Sequence, residues 1–210
     1  MLKNMLEAFA EYKGLTLILI VCIILLIISS FFAARASRRR SSERDKIIKK
    51  LMEEQKLCEE FAVLTPEKVL SEPPERVMRG VTFNIRKFLN GEPDINAAFE
   101  KLGIEEQYIY ALDYVFCEDA DTLSKFFRLN GKPLTTAADS AVNEIFGGEI
   151  YEIFHKGFRM FDDDDEEISS LPEDVKKLDE DFKNAVGQDE LKTVSRYISE
   201  RCENFYNNRV

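Results

Sequence analysis

Six consecutive acidic residues, the run 162–167, are the sequence feature with the clearest capacity for chemistry. Asp162, Asp164 and Glu166 have the spacing of the first carboxylate ligands in a calcium-binding loop, and Glu173 falls at the twelfth position of that loop. Position six of that loop needs glycine for its sharp turn, and here it is Glu167. We therefore predict a solvated acidic loop or a contact surface for a basic partner, with a calcium loop as a further alternative. The residues predicted to contact a partner are Asp162, Asp163, Asp164, Asp165, Glu166, Glu167, Glu173 and Asp174.

Residues typical of catalytic or metal centres are otherwise few. His155 is the only histidine, and the four cysteines, at 22, 58, 117 and 202, form no C-x-x-C pair, so neither a zinc site nor a disulfide framework is predicted. The chain has no phosphate-binding glycine loop, no H-E-x-x-H and no G-x-S-x-G. We predict a non-enzymatic protein without cofactor or metal, and an enzyme of unrecognised type stays an alternative.

Charge divides the chain into two parts. Residues 1–50 hold 10 basic and 4 acidic side chains, whereas residues 51–210 hold 19 basic and 35 acidic ones. Because proteins that bind DNA or RNA need a basic face, the acidic body predicts no direct nucleic-acid binding. The acidity favours a basic protein as partner, or a role in solubility alone.

The basic part contains a predicted membrane anchor. Residues 14–34 carry no charge, and 21 helical residues would span about 31 Å, close to the ~30 Å hydrocarbon core of a bilayer. A cleaved signal peptide is the main alternative, since A-R-A at 34–36 resembles a cleavage site. The apolar stretch is longer than a signal peptide requires, however, and no positive segment precedes it. We predict one transmembrane helix at 14–34, after a short N-terminal segment at 1–13.

A basic cluster follows this apolar stretch and predicts its orientation. Basic residues beside a membrane span stay on the cytoplasmic side, so the N-terminus should face outward and residues 35–210 should be cytosolic. A specific site for anionic lipids is possible here but is not needed to explain the cluster. Its members are Arg35, Arg38, Arg39, Arg40, Arg44, Lys46, Lys49 and Lys50.

The remainder of the chain predicts a compact all-α domain. Helical spacing over 43–62 indicates either a stalk or the first helix of the domain, and the sequence does not decide between them. We assign 35–64 to a basic juxtamembrane segment and stalk, and 65–210 to an acidic domain of several helices. Caps are predicted at Thr65, Asp94 and Asp121, and at Thr135 or Thr136.

Within this domain, the order of several short motifs resembles a bacterial family. The stretch 123–131, L-S-K-F-F-R-L-N-G, is similar to x-x-Y-F-x-N-x-x-G, and 178–182, L-D-E-D-F, to L-D-x-x-F/Y. Between them, 141–147 and 151–154 resemble the family's A-L-x-x-I-G-A…Y-x-x-I/L helix pair, and the helix from Tyr197 to Phe205 its closing helix. The family is a domain of unknown function whose named member is an acidic DNA mimic.

The resemblance covers about residues 105–208 and implies an all-α fold. For the named member it also implies an acidic surface that occupies the DNA-binding face of a transcription factor. One departure is clear: the family's Asn-Gly-Gly-Phe turn is replaced by D-A-D-T-L at 119–123. No binding residue is transferred by the motifs.

The leading functional prediction is a membrane-anchored, non-enzymatic domain whose acidic surface binds a basic protein, with DNA mimicry as a special case. The main alternative is a structural or assembly role in the membrane. In that case the anchor and stalk carry the specificity, and the acidic domain serves mainly solubility.

Overall fold

The computed structural model describes residues 13–116, 122–163, 168–187 and 189–206, without the side chains at 13–16, 18, 19 and 30–43. Every regular element among these residues is helical, which confirms the predicted all-α class. The chain forms two compact units, Met1–Glu53 and Glu54–Val210. Helix α1, Lys13–Glu60, passes from the first unit into the second.

The apolar part of α1 exposes its large side chains. Ser29 donates a hydrogen bond from Oγ to the carbonyl oxygen of Leu26 at 3.0 Å, so this hydroxyl is satisfied within the helix. Continuous exposure of large apolar side chains is unusual in water. The exposed residues are Leu17, Ile20, Val21, Ile23, Ile24, Leu25, Leu26, Ile27 and Ile28.

The predicted transmembrane helix at 14–34 includes residues whose side chains the structure does not describe. Among the described residues, no helix combines the length and the apolarity needed to cross a bilayer.

The second unit begins with the last turns of α1. Phe61, directly after the helix, is fully buried, and its ring lies against Gly80. The side-chain amide of Asn84 donates to the carbonyl oxygen of Cys58 at 3.0 Å. Arg76 pairs with Glu60, which fixes the end of α1 further. The segment from Glu54 onward is therefore part of the compact domain.

The second unit continues with short and medium helices joined by tight turns. In chain order they are α2 (Pro66–Ser71), α3 (Pro74–Leu89), α4 (Ile95–Glu100), α5 (Ile104–Phe116), α6 (Leu123–Leu129), α7 (Leu134–Ile145), α8 (Gly148–Phe161), α9 (Pro172–Ala185), α10 (Glu190–Glu200) and a 3₁₀ turn at Cys202–Asn204.

Side-chain caps explain several helix starts. Thr65 accepts from the backbone N–H of Lys68 at 3.3 Å, and Asp94 accepts from that of Ala97 at 3.0 Å, both as predicted. The N-cap of α6 is Thr122, and the predicted Asp121 lies outside the described residues. The cap predicted at Thr135 or Thr136 is wrong. Helix α7 begins at Leu134, at least two residues earlier than that cap implies, because Pro133 precedes it with a φ of −87° and Thr135 is buried in its first turn.

Helix α5 forms the centre of the unit. It packs against α3, α6 and α7, while α10 lies across α2, α3 and α7. Helix α8 packs against α6, α7 and α9 and closes the other side. Phenylalanine rings fill this second region, and the rings of Phe127 and Phe154 are 5.1 Å apart. Gly157 leaves room for the Phe127 ring, because a Cβ at position 157 would lie only 2.7 Å from that ring.

The C-terminal segment is held by a buried carboxylate. Glu106, 1% exposed, accepts from the backbone N–H of Gly103 at 3.3 Å and from that of Tyr206 at 3.1 Å. The first bond is half of a capping box at the start of α5. The second bond joins positions 100 residues apart in the chain.

We expect Glu106→Ala to lower the free energy of unfolding by about 2 kcal/mol, because two backbone N–H groups lose their buried acceptor. Glu105→Ala is the matched control, because its bond to Asn204 is exposed, and it should cost under about 0.5 kcal/mol. Urea unfolding, monitored by the near-ultraviolet circular dichroism of the tyrosines, measures the stability of both variants. Equal losses in the two variants would contradict the role given to Glu106.

Candidate functional site

The predicted acidic contact surface lies around the junction between α8 and α9. Asp162 is the C-cap of α8, and Asp163 follows it in an exposed position. Glu173 and Asp174 occupy the first turn of α9, where the helix dipole stabilises negative charge. The hydroxyl of Ser169 donates to Asp174. Asp164, Asp165, Glu166 and Glu167 lie outside the described residues.

One described residue of this surface, Asp163, contacts a nearby lysine. The ammonium of Lys132, in the turn before α7, lies 3.0 Å from Asp163 Oδ1 and 5.5 Å from the centroid of the Phe158 ring. This contact joins the end of α8 to the turn before α7. Within the described residues, no group of three or more His, Cys, Asp or Glu side chains is arranged to hold a metal ion.

His155 lies close to this surface and pairs with a carboxylate. Its Nδ1 is 3.0 Å from Asp139 Oδ1 and 3.2 Å from Oδ2, which joins α8 to α7. The ring of Tyr151 lies 5.2 Å from the imidazole. The sequence places His155 beside a lysine and one turn from Glu152. Its true partner is 16 residues away, so only the packing of α7 on α8 reveals the pair.

The Asp139 carboxyl has a raised pKa. Burial is the main cause, the hydrogen bond and charge of His155 oppose it, and the charge of Asp163 adds to it. A histidine held by a carboxylate can transfer protons when a substrate group lies within hydrogen-bond reach. The contacts described here connect the pair to its own helices, which supports a structural link between α7 and α8.

This raised pKa predicts a pH effect on stability. The folded state holds the Asp139 proton more tightly than the unfolded chain, so the free energy of unfolding should fall as pH rises just above 3.8. Asp139→Asn removes the ionisation, and we expect a shallower decline in stability over the pH range just above 3.8. Denaturant midpoints across this range measure it, with Glu152→Gln, an exposed carboxylate on α8, as control. An unchanged slope in Asp139→Asn would be the contradicting result.

Other acidic residues of the second unit pair with its own basic residues. These pairs involve residues of several helices, so part of the formal charge of the domain is neutralised within it. Surface pairs of this kind contribute little to stability but reduce the charge available to a partner. They include Arg76 with Glu60 and Glu72, Lys176 with Glu180, Lys192 with Asp189, and Arg201 with Glu144 and Glu200.

The basic cluster of α1 is described in part. The side chains of Arg44, Lys46, Lys49 and Lys50 are exposed, and the Nζ of Lys49 lies 3.9 Å from Glu53 Oε1. The side chains of Arg35, Arg38, Arg39 and Arg40 lie outside the described residues. The four described side chains of the cluster are therefore accessible on the surface of α1.

A cleft that the sequence does not predict lies between α5, α6 and α9. Its volume is about 410 Å³. We call it the α5–α6–α9 cleft. Phe116 is only half-buried because it lines this opening. The residues lining the cleft are Val115, Phe116, Thr122, Leu123, Lys176, Asp179, Glu180, Phe182, Lys183 and Val186.

Two segments that resemble the DNA-mimic family meet at one edge of the cleft. Asp179, on α9, accepts from the backbone N–H and from the hydroxyl of Ser124, on α6, both at 2.7 Å. Leu178 and Phe182 of the same segment are buried in the core. These contacts join the first turn of α6 to α9, so they give the motif residues structural roles.

No family model, curated protein or solved structure matches this chain. The resemblance of residues 105–208 to the DNA-mimic family therefore stays a prediction from the motifs.

Proposed function

We propose that this protein is a membrane-anchored, non-enzymatic interaction domain whose acidic surface binds a basic protein. The observation that carries the proposal is the order of features along the chain. A helix with an exposed apolar segment is followed by a basic segment and then by a compact acidic unit. An apolar segment keeps a protein at the bilayer, and a charged domain then has a defined compartment in which to meet its partner.

The anchor is supported by the uncharged stretch 14–34 and by the exposure of its described apolar side chains. The internal bond of Ser29 also suits a bilayer, where a polar group needs a partner within its own segment. In this proposal the N-terminus faces outward. The cluster that ends at Lys50 and the acidic domain both face the cytoplasm.

The acidic surface is supported by the density of charge at the α8–α9 junction. Asp163 is exposed there, and Glu173 and Asp174 begin the next helix. A basic partner would exchange its counterions for these carboxylates, so binding should weaken with salt. DNA mimicry is a special case, because duplex DNA carries one charge per ~1.7 Å and a mimic must order its carboxylates in rows.

Affinity capture with the full chain tests this proposal. Detergent-solubilised membranes are compared at low and high salt, using the natural chain and a variant with residues 162–167 changed to the corresponding amides. The matched control changes six exposed glutamates to glutamine: Glu67, Glu75, Glu92, Glu100, Glu149 and Glu152. We expect a basic protein to be retained at low salt and lost only in the first variant. Equal retention by both variants would show that the acidic segment is not the contact surface.

A structural role in membrane assembly is the second candidate, and one observation favours it. Ile47, Ile48, Leu51 and Met52 of α1 are exposed apolar residues that lie beyond the uncharged stretch. Replacing residues 1–34 with an unrelated anchor separates the two candidates. Loss of function with the acidic domain intact would favour the structural role.

A further inference from the structure

The α5–α6–α9 cleft has the size of a ligand site. Its volume of about 410 Å³ lies within the range of ~300–1,000 Å³ that is usual for pockets that bind small molecules. It is formed by the end of α5, the start of α6 and one side of α9. These helices pack against each other around it, because α6 contacts both α5 and α9.

The inner surface of the cleft is apolar. Leu123 and Phe182 are buried beneath it, and Val115 continues this surface along α5. Phe116 and Val186 are half-buried and form its sides. Such a surface binds a hydrocarbon chain by removing it from water, with a gain of about 0.8 kcal/mol for each buried methylene.

The charged groups at the rim differ in their availability. Both oxygens of Asp179 are already bonded to Ser124. Lys176 lies 3.6 Å from Glu180, so these two charges offset each other. Lys183 is exposed and makes no ion pair with any residue that the structure describes. Among the described rim residues, Lys183 is therefore the cation outside an ion pair, and it lies beside an apolar cleft.

We propose that the cleft binds a small amphiphile that has a hydrocarbon tail and a carboxylate head. The tail lies on Leu123, Phe116 and Phe182, and the carboxylate contacts the ammonium of Lys183. This assignment is independent of the acidic contact surface at the α8–α9 junction. It gives the domain a second ligand of different chemistry.

The absence of tryptophan from the chain allows a local test. Phe116→Trp places one fluorophore at the cleft, and Tyr151→Trp places one on α8 as control. The full chain in lipid nanodiscs is titrated with 11-bromoundecanoate, whose bromine quenches tryptophan at contact distance. We expect saturable quenching at position 116 and little at position 151. Absence of quenching at 116, or equal quenching at both positions, would overturn the proposal.

Charge variants then test recognition of the head group. In the Phe116→Trp background, Lys183→Gln should weaken binding by about threefold to fivefold, as expected for loss of one exposed ion pair. Lys177→Gln is the matched control, since Lys177 is exposed on α9 but does not line the cleft. It should leave the affinity unchanged. If 11-bromoundecanol binds as tightly as the carboxylate, the role of Lys183 is wrong.

Discussion

Placing arginine at both Ile24 and Leu25 is expected to release the chain from membranes into the soluble fraction. These residues lie at the middle of the uncharged stretch 14–34, and both side chains are exposed. An arginine at the centre of a transmembrane helix costs about 2.5–3.5 kcal/mol on insertion scales. Two of them should therefore reduce membrane insertion by at least ~1,000-fold.

Fractionation after a carbonate wash measures this effect. The control is the double variant Ile47→Arg and Leu51→Arg, which adds the same charge at exposed positions outside the uncharged stretch. It should stay with the membrane. The anchor would be refuted if the Ile24→Arg and Leu25→Arg chain remained in the washed membranes, or if the natural chain were soluble.

Phe61→Ala is expected to have the largest effect on the stability of the second unit. Phe61 is fully buried and lies against Gly80, with the ammonium of Lys68 5.1 Å from its ring centroid. Removing a buried phenylalanine side chain costs about 3–5 kcal/mol, because apolar contact is lost and a cavity remains. A loss of this size is a large fraction of the free energy of unfolding of an ordinary domain.

The contact with Gly80 allows a double-mutant cycle. A Cβ on residue 80 would lie 2.2 Å from the Phe61 ring, so Gly80→Ala alone should cost about 1–3 kcal/mol through overpacking. In the Phe61→Ala background the same substitution should cost less, because the ring is gone. Urea unfolding of the full chain in detergent measures all four forms.

Val63→Ala is the control for this cycle. Val63 is 71% exposed two residues after Phe61, and its truncation should change stability by under about 0.5 kcal/mol. A similarly small loss in Phe61→Ala would mean that the end of α1 is not part of the folded unit.

Local sequence signals predict much of this fold. The apolar residues that recur at helical spacing along α3 and α10 are buried, for example Val77, Val81, Val194 and Ile198. The caps at Thr65 and Asp94 also lie where the sequence predicts them, and Gly147 separates α7 from α8. Gly147 has a φ of +59°, a conformation that glycine adopts at no steric cost.

Contacts between distant segments could not be predicted. Asp179 caps a helix whose first turn is 55 residues earlier, and Glu106 holds the backbone of Tyr206. The pairing of His155 with Asp139 depends in the same way on how two helices pack. Such contacts are specified by tertiary packing, and a single sequence carries no direct signal for them. The sequence gives no signal for the cleft for the same reason, since three helices contribute to its walls.

Site-directed photocrosslinking tests the central claim, an acidic contact surface for a basic protein, most directly. Benzoylphenylalanine is placed in the full chain at Ser170, which is exposed just after the acidic segment, and at Asn96, an exposed position on α4. We predict a crosslinked basic protein from position 170 only, reduced at high salt and absent when residues 162–167 carry amides. Equal adducts from both positions, or an adduct at 170 that survives the amide substitutions, would contradict the account.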